Sequence, residues 1–203
     1  MTISKLLKCY PMRYVEYDPS PKDKQSTAEI SIRVAESEAD FEACAVLSNR
    51  YIREADLESS REDTQRHAAG RGNSVLIACL PDGEIVGYAR VTWVGVPPKA
   101  PDNVAPPGFY LGGMAVAAEY RRRGVGRQLT VHRMKLLSRL ADEAWYIVNS
   151  SNEASIDLHL EHGFHEATRE FVFPGDVSDG PGTILCHAPL GPTASRCPGC
   201  PPA

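Results

Sequence analysis

No apolar stretch in the 203-residue sequence approaches the ~20 residues that a membrane-spanning helix needs. The opening run, MTISKLLKCYPMRYVEYD, lacks the apolar segment and small-residue cleavage site of a secretory signal, and a cytoplasmic protein is expected. A basic excess is also missing. Twenty-two Lys and Arg face 26 Asp and Glu, a net charge of −4, whereas nucleic-acid binders carry a basic footprint. Metal-ligand spacing is absent as well. Of six cysteines, Cys44, Cys79 and Cys186 fall in apolar segments and read as small core residues. Cys197 and Cys200 form a lone C-x-x-C in a Pro-rich tail with no second ligand pair, so no metal site is expected. The remaining composition, 42% hydrophobic and 24% charged, is that of a globular domain large enough to need no staple.

What is present is a regular alternation of strand and helix patterns. Residues 1–27 read as a flexible arm, 28–190 as one folded domain and 191–203 as a disordered tail. Glu29 to Val34 alternates in strand period, and Glu38 to about Ala55 follows in helical period behind the potential N-cap Ser37. A polar helix is predicted from Leu57 to Ala69, closed at Gly70. Strands Ser74–Leu80 and Ile85–Val94 flank Pro81-Asp82-Gly83, a hairpin signal because Pro presets φ and Gly accepts φ > 0. Residues 95–108 hold five prolines and cannot form a helix or central strand. Beyond them come a strand over Phe109–Val116, a helix to about Ala141, a strand at Trp145–Val148 and a helix from Asn152 to His162. Strands near Phe164–Phe173 and Thr183–Leu190 end the series. The order β-α-α-β-β-β-α-β-α-β-β makes a mixed sheet with helices on its faces.

The sharpest local feature is Arg121-Arg122-Arg123-Gly124-Val125-Gly126-Arg127, between a strand and a helix whose stripe reads Val125, Leu129, Leu136 and Leu140. A helix N-terminus presents unpaired N–H groups and partial positive charge, and glycines let an anion come close. The arginines add charge-assisted contacts, so the turn suits a pyrophosphate. It is not a P-loop, since no G-K-[ST] precedes the helix. A dinucleotide fingerprint would need glycine where Leu129 stands.

The run YLGGMAVAAEYRRRGVGRQL resembles the acyl-CoA-binding motif of the GNAT superfamily, an apolar strand ending in A-V followed by [QR]-x-x-G-x-[GA]. A second segment, from Asn152 through His159 to Gly163-Phe164, resembles that superfamily's N-x-x-[AS]-x-x-x-[YH]-x-x-x-G-[FY]. The resemblance implies an α/β fold of mixed, mostly antiparallel six- to seven-stranded sheet, splayed between its fourth and fifth strands, with helices on both faces. It also implies acetyl-CoA as acyl donor. Arg121, Arg122, Arg123, Gly124, Val125, Gly126 and Arg127 would hold the pyrophosphate, and Met114, Ala115 and Val116 the pantetheine arm, with Gly112-Gly113 at the bulge of the splayed strand. Asn152 would steady the pantetheine or cap the last helix.

Direct transfer to an amine in a ternary complex follows from the same resemblance, with the Val116 N–H as oxyanion donor. His159 stands where most of the superfamily places a tyrosine that protonates the leaving thiolate. Phosphinothricin-type acetyltransferases resemble the chain in having histidine there. Many relatives carry a glutamate base where Tyr110 and Ile147 stand, so no carboxylate carries over. Glu54, Asp56, Glu119 and His187 are the groups that water could link to the amine. Tyr88, Trp93 and Tyr110 are candidate acceptor-pocket residues. The expected acceptor is the primary amine of a small molecule, with no nucleic acid and no membrane involved; the superfamily's habit of pairing allows a homodimer. The alternatives are a protein lysine or N-terminal acetyltransferase, or a non-catalytic acyl-CoA-binding module.

Overall fold

A computed structural model of the chain describes residues 14, 16–18, 29–52, 55–174 and 182–191. Most of the expected arm, the Cys197/Cys200 tail and Glu54 lie outside these residues. Seven strands form one sheet: β1 Ser31–Val34, β2 Ser74–Cys79, β3 Ile85–Val94, β4 Gly108–Val116, β5 Glu143–Asn149, β6 His165–Thr168 and β7 Thr183–Pro189. Their order across the sheet is β1-β2-β3-β4-β5-β7-β6, and only β4 and β5 run parallel. The helices are α1 Glu38–Tyr51, α2 Leu57–Ala68, α3 Val125–Leu137 and α4 Glu153–Leu160, with a single 3-10 turn at Ala118–Tyr120.

The period-2 alternation of the strands sends their side chains to two different cores. Leu76, Ala78, Val91 and Leu111 pack with Val125, Leu129 and Leu137 of α3 and with Ile156 of α4. Val75, Ile77 and Tyr88 face the other way, against Phe41, Cys44 and Leu47 of α1. A third cluster, Val94, Ala105, Tyr110, Trp145 and Leu185, lies on the face turned from α3 and is covered without a helix. The Pro-rich segment provides that cover. Val104 bridges Val172, with Ala105 N–H donating to Val172 O at 2.8 Å and Val172 N–H to Asn103 O at 3.0 Å. This exchange explains why β6 stops at Thr168 and not near Phe173: the backbone of 171–173 is taken by the loop.

The helices end short of expectation, α2 by one residue and α4, at Leu160, by two. α1 ends at Tyr51 and α3 at Leu137, and Leu140, assigned to the apolar stripe, is half exposed. The buried stripe of α3 is instead Val125, Leu129, Thr130, Arg133 and Leu137. An arginine thus occupies the center of an apolar face.

At the start of α1, Asp40 is buried and accepts N–H bonds from Glu36 (2.9 Å) and Ser37 (3.0 Å), closing a capping box with Ser37. Its carboxylate also takes two bonds from Arg33 of β1, at 2.8 and 2.7 Å. The Arg33 guanidinium, then the two backbone donors, hold the Asp40 carboxyl well below the usual carboxylate range. Arg33 is half exposed, so solvent screens its share. Asp40→Ala is expected to cost about 2 kcal/mol at pH 7 in urea unfolding, chiefly through the orphaned backbone donors. Because the folded-state pKa is depressed, this contribution is full above the ordinary aspartate pKa near 4 and fades as pH falls below it. A wild-type-to-variant difference that stays constant from pH 7 to pH 3 would contradict this assignment.

Candidate active site

Tyr110↔Trp145 and Leu111↔Tyr146 are the only register pairs that join β4 to β5. Past them both strands continue, β4 to Val116 and β5 to Asn149, without pairing to each other. The cause is visible on the other side of β4. Ala89↔Met114 and Val91↔Leu111 leave Arg90 opposite both Gly112 and Gly113, a bulge of one extra residue that bends β4 away from its parallel neighbor. A Cβ on Gly112 would meet Arg90 Cβ at 3.2 Å and Thr92 Oγ1 at 3.3 Å, closer than most Cβ contacts, so glycine eases the bulge.

The free edge of β4 has a defined polarity. Ala117 N–H donates to Val86 O of β3 at 2.9 Å. Since successive backbone N–H groups of a strand point to opposite sides, those of Met114 and Val116 face the open wedge, and that of Ala115 faces β3. The end of the strand is clamped, for Arg121 Nε donates to Val116 O at 3.1 Å while its guanidinium lies 4.7 Å from the Tyr51 ring center.

At the mouth of the wedge begins α3. Its N-cap, Gly124, is left-handed (φ 80°), as is Arg122 (φ 61°), and no side chain caps the helix. Gln128 N–H is the donor that reaches Gly124 O, so the N–H groups of Val125, Gly126 and Arg127 lie in the first turn, where an α-helix supplies no partners. A Cβ on Gly126 would sit at ordinary distance from Met114 Cε (3.5 Å) and Leu158 Cδ2 (3.6 Å), so the helix start packs directly on β4 and α4. The arginines are not gathered here. Arg121 is turned to Tyr51, Arg123 lies over Tyr120, and Arg127 is ion-paired to Glu161 beyond α4. What stands free at this helix start is therefore chiefly backbone.

His159 lies on α4, buried, stacked on Tyr146 with ring centers 3.9 Å apart. Its Nδ1 is 2.8 Å from Ser155 O, and its Nε2 is 3.5 Å from Nη2 of Arg133. A carbonyl can only accept and a guanidinium can only donate. Those neighbors select the neutral ring with its proton on Nδ1 and a lone pair on Nε2. Burial, then the Arg133 charge, pushes the imidazole pKa down to about 3. As placed, the one proton of the neutral ring sits on Nδ1 against Ser155 O, and Nε2 carries a lone pair toward Arg133. Asn152 is the N-cap of α4, its Oδ1 3.4 Å from Ser155 N.

Arg133, which the sequence reading passed over, is fully buried beneath the crotch of the wedge. Its spacing carried a signal: it stands four residues from both Leu129 and Leu137, on the apolar stripe. The opposite face holds a second overlooked group, with Arg90 bonded to Asp63 (3.0 Å) and Thr64 (2.8 Å) of α2. Of the groups considered for proton removal, Asp56 caps α2 through Ser59 N–H, Glu119 lies 3.8 Å from Arg50, and His187 stacks on Trp145. Tyr110 lies beneath the Pro-rich segment, its hydroxyl donating to Pro106 O at 2.7 Å. Trp93 packs edge-on to Phe109 and Tyr88 packs under α1. A shallow groove of about 520 Å³ runs between Thr92–Pro97 and Phe173-Pro174. Among the described residues no group of acids, histidines or cysteines could hold a metal, and no helix is long and apolar enough to cross a membrane.

The model of the acetyltransferase (GNAT) family matches residues 41–164, more than half of the chain. Among solved structures, the ribosomal-protein-S18-alanine N-acetyltransferase from Escherichia coli superposes with TM-score 0.59 at 24% identity, over 82% of this chain and 96% of that one. A GNAT superfamily phosphinothricin acetyltransferase from Sinorhizobium meliloti, in complex with AcCoA, gives TM-score 0.59 at 17% identity over 83% and 96%. A GCN5-related N-acetyltransferase from Kribbella flavida gives 0.57 at 22% identity over 79% and 98%. At these identities the likeness is one of fold. No curated protein matches the chain.

The surroundings of His159 have a consequence that nitrogen NMR can read. The ring is expected to show the Nδ1–H tautomer without change from pH 8 to pH 5; a midpoint near the ordinary value of about 6.5 would contradict its burial as a neutral acceptor. The sign for stability follows. Between the unfolded pKa and the folded value of about 3, only the unfolded chain takes up this proton, so the fold loses stability as pH drops below about 6.5.

Proposed function

The chain belongs to the GNAT acetyltransferase family, an acyltransferase with acetyl-CoA as its donor, and from that premise we propose that it acetylates the primary amine of a small molecule. The observation that carries the reading is the juxtaposition of an unpaired β4 edge with an uncapped, left-handed entry into α3. One offers a row of N–H donors to an extended amide chain, as a sheet edge does for an added strand. The other offers an N-terminal helix turn to a diphosphate. Their separation is fixed because Gly126 packs on Met114.

The donor supplies an acetyl thioester whose sulfur is a good leaving group. The chain's own residues then have three tasks. The first-turn N–H groups of Val125, Gly126 and Arg127 bind the diphosphate, with Arg122 and Arg123 at the rim. Met114 and Val116 align the reacting carbon along β4, and the Val116 N–H donates to the carbonyl oxygen as negative charge grows on it. Asn152 holds the start of α4 so that His159 and Tyr146 form the wall behind the sulfur. The amine nitrogen forms the new C–N bond as the C–S bond breaks, and the proton it loses passes through water to solvent or to the departing thiolate; a thiol of pKa about 8.5 leaves without a dedicated acid, so His159 serves as a wall. The amine enters along the groove of Thr92, Trp93, Pro97 and Phe173, whose small volume favors a small molecule over a long polypeptide. Cytoplasmic residence is part of the same reading.

Two measurements test it. Thiol release from acetyl-CoA against a panel of small amines, lysine peptides and N-terminal peptides is expected to peak on a small amine. Turnover restricted to peptides would transfer the assignment to protein acetylation, and tight binding without turnover on any of them would leave a binding module. For the cradle, Gly124→Asp and Gly124→Asn form a matched pair, since both residues tolerate the left-handed conformation. Asp at an N-cap stabilizes a helix yet repels phosphate, so Gly124→Asp is expected to weaken acetyl-CoA binding about tenfold or more relative to Gly124→Asn without lowering the melting temperature. Equal calorimetric affinities for the two variants would refute the cradle.

A further inference from the structure

Arg133 presents a problem that acetyl transfer as described does not solve. A fully buried guanidinium without a carboxylate is costly, because desolvation is uncompensated. Among the described residues Arg133 has no acidic partner, and its Nε has no hydrogen-bond partner at all. Its other nitrogens go to neutral groups. Nη1 lies 3.2 Å from Gly112 O and 3.4 Å from Arg90 O, and Nη2 lies 3.0 Å from Thr130 Oγ1, 3.8 Å from Met114 Sδ and 3.5 Å from His159 Nε2. Burial lowers its pKa to about 10, which leaves it charged at neutral pH.

The two carbonyls are those of the bulge. Arg90 and Gly112 are the residues at which the β3–β4 ladder slips by one, and Gly112 follows directly on the last β4–β5 pair. A bulge in a buried strand frees acceptors that need donors, and one guanidinium nitrogen reaches both. The other nitrogen reaches the ring stacked on Tyr146, the β5 partner of Leu111. Arg133 therefore touches β3, β4 and α4 at the point where the sheet divides.

We infer that Arg133 is the positioning residue of the cofactor wedge: its guanidinium holds the β4 bulge in place, so keeping β4 apart from β5, and fixes His159 as a neutral hydrogen-bond acceptor behind the reacting sulfur. This rests on the acetyl-CoA reading above. The bonds from the buried charge to the bulge carbonyls maintain an open edge that an all-apolar helix face would let close. The other ionizable groups around the His159 ring are Tyr146 of β5 and His162 after α4.

The test is Arg133→Met, which keeps the volume and removes the charge and donors, with Arg133→Lys beside it. Expected for Arg133→Met are a melting temperature equal to or above that of the unaltered protein, a tenfold or greater loss of acetyl-CoA affinity, and a matching rise in KM for acetyl-CoA with KM for the amine little changed. The His159 ring is expected to lose its fixed tautomer in the nitrogen NMR spectrum. Arg133→Lys, with one charged donor center in place of the fork, is expected to fall between the two in affinity. A variant that loses stability and affinity together would make Arg133 a structural residue only. Undiminished affinity with an unchanged His159 spectrum would also overturn the inference. Failure of the unaltered protein to bind acetyl-CoA would sink the cofactor reading itself, whereas binding that Arg133→Met retains would sink only the role given to Arg133.

Discussion

Two parallel strands that pair at only two positions set everything else in this molecule. A sheet normally satisfies its backbone by continuing, and an interior gap leaves donors and acceptors without partners in the middle of the core. Here the gap opens after Leu111↔Tyr146, and each surrounding element can be read as a response to it. The bulge at Gly112-Gly113 bends β4 aside, Arg133 occupies the freed carbonyls, Arg121 takes the carbonyl of Val116, and the uncapped start of α3 stands at the open end. An extended amide chain ending in a diphosphate matches that arrangement in both its parts.

The electrostatics work on the same small scale. The chain is acidic overall, so a field spread over the surface does not draw in an anionic donor. The positive features near the open edge are local: the N-terminal dipole of α3, left free because Gly124 has no capping side chain, and a guanidinium sealed under the wedge. Low dielectric strengthens such fixed charges and dipoles, and water cannot screen them. Asp40 shows the contrasting use of a buried charge. It is paired with Arg33 and accepts from two backbone donors in its own turn, and so ties α1 to β1. A buried ion with a full set of partners stabilizes the fold, whereas Arg133, lacking one, is better understood through the opening it maintains.

Much of the architecture was legible in the chain itself. The limits of β3 and the starts of α1, α2 and β2 were read correctly because alternation, Ser37 and the Pro81-Asp82-Gly83 turn are local signals. The two glycine-bearing motifs, in order and at family spacing, pointed to the fold that the family match shows. The readings that failed were those that depend on distant partners. The stripe of α3 was taken through Leu136 and Leu140, since an arginine reads as polar until the carbonyls of Arg90 and Gly112 are seen beside it. β6 was drawn too long because residues 171–173 have strand character but spend it on the Pro-rich segment. Two arginines of the turn also have partners no short window shows, Arg121 on the Tyr51 ring and Arg127 on Glu161.

By itself, then, the sequence determined the order of elements, the sheet that they make, the glycines at the anion turn and the class of donor. Those are properties of short windows, where steric preference and periodicity act on neighbors. Only the tertiary structure decided the neighbors of the His159 ring and the partners of Arg121 and Arg127. The same holds for the presence of a cation under the splayed strands. A side chain's charge state and partners depend on burial and on groups brought near by the fold. At His159 the carbonyl of Ser155 and the guanidinium of Arg133 meet from two different helices, and no window of the chain contains that meeting.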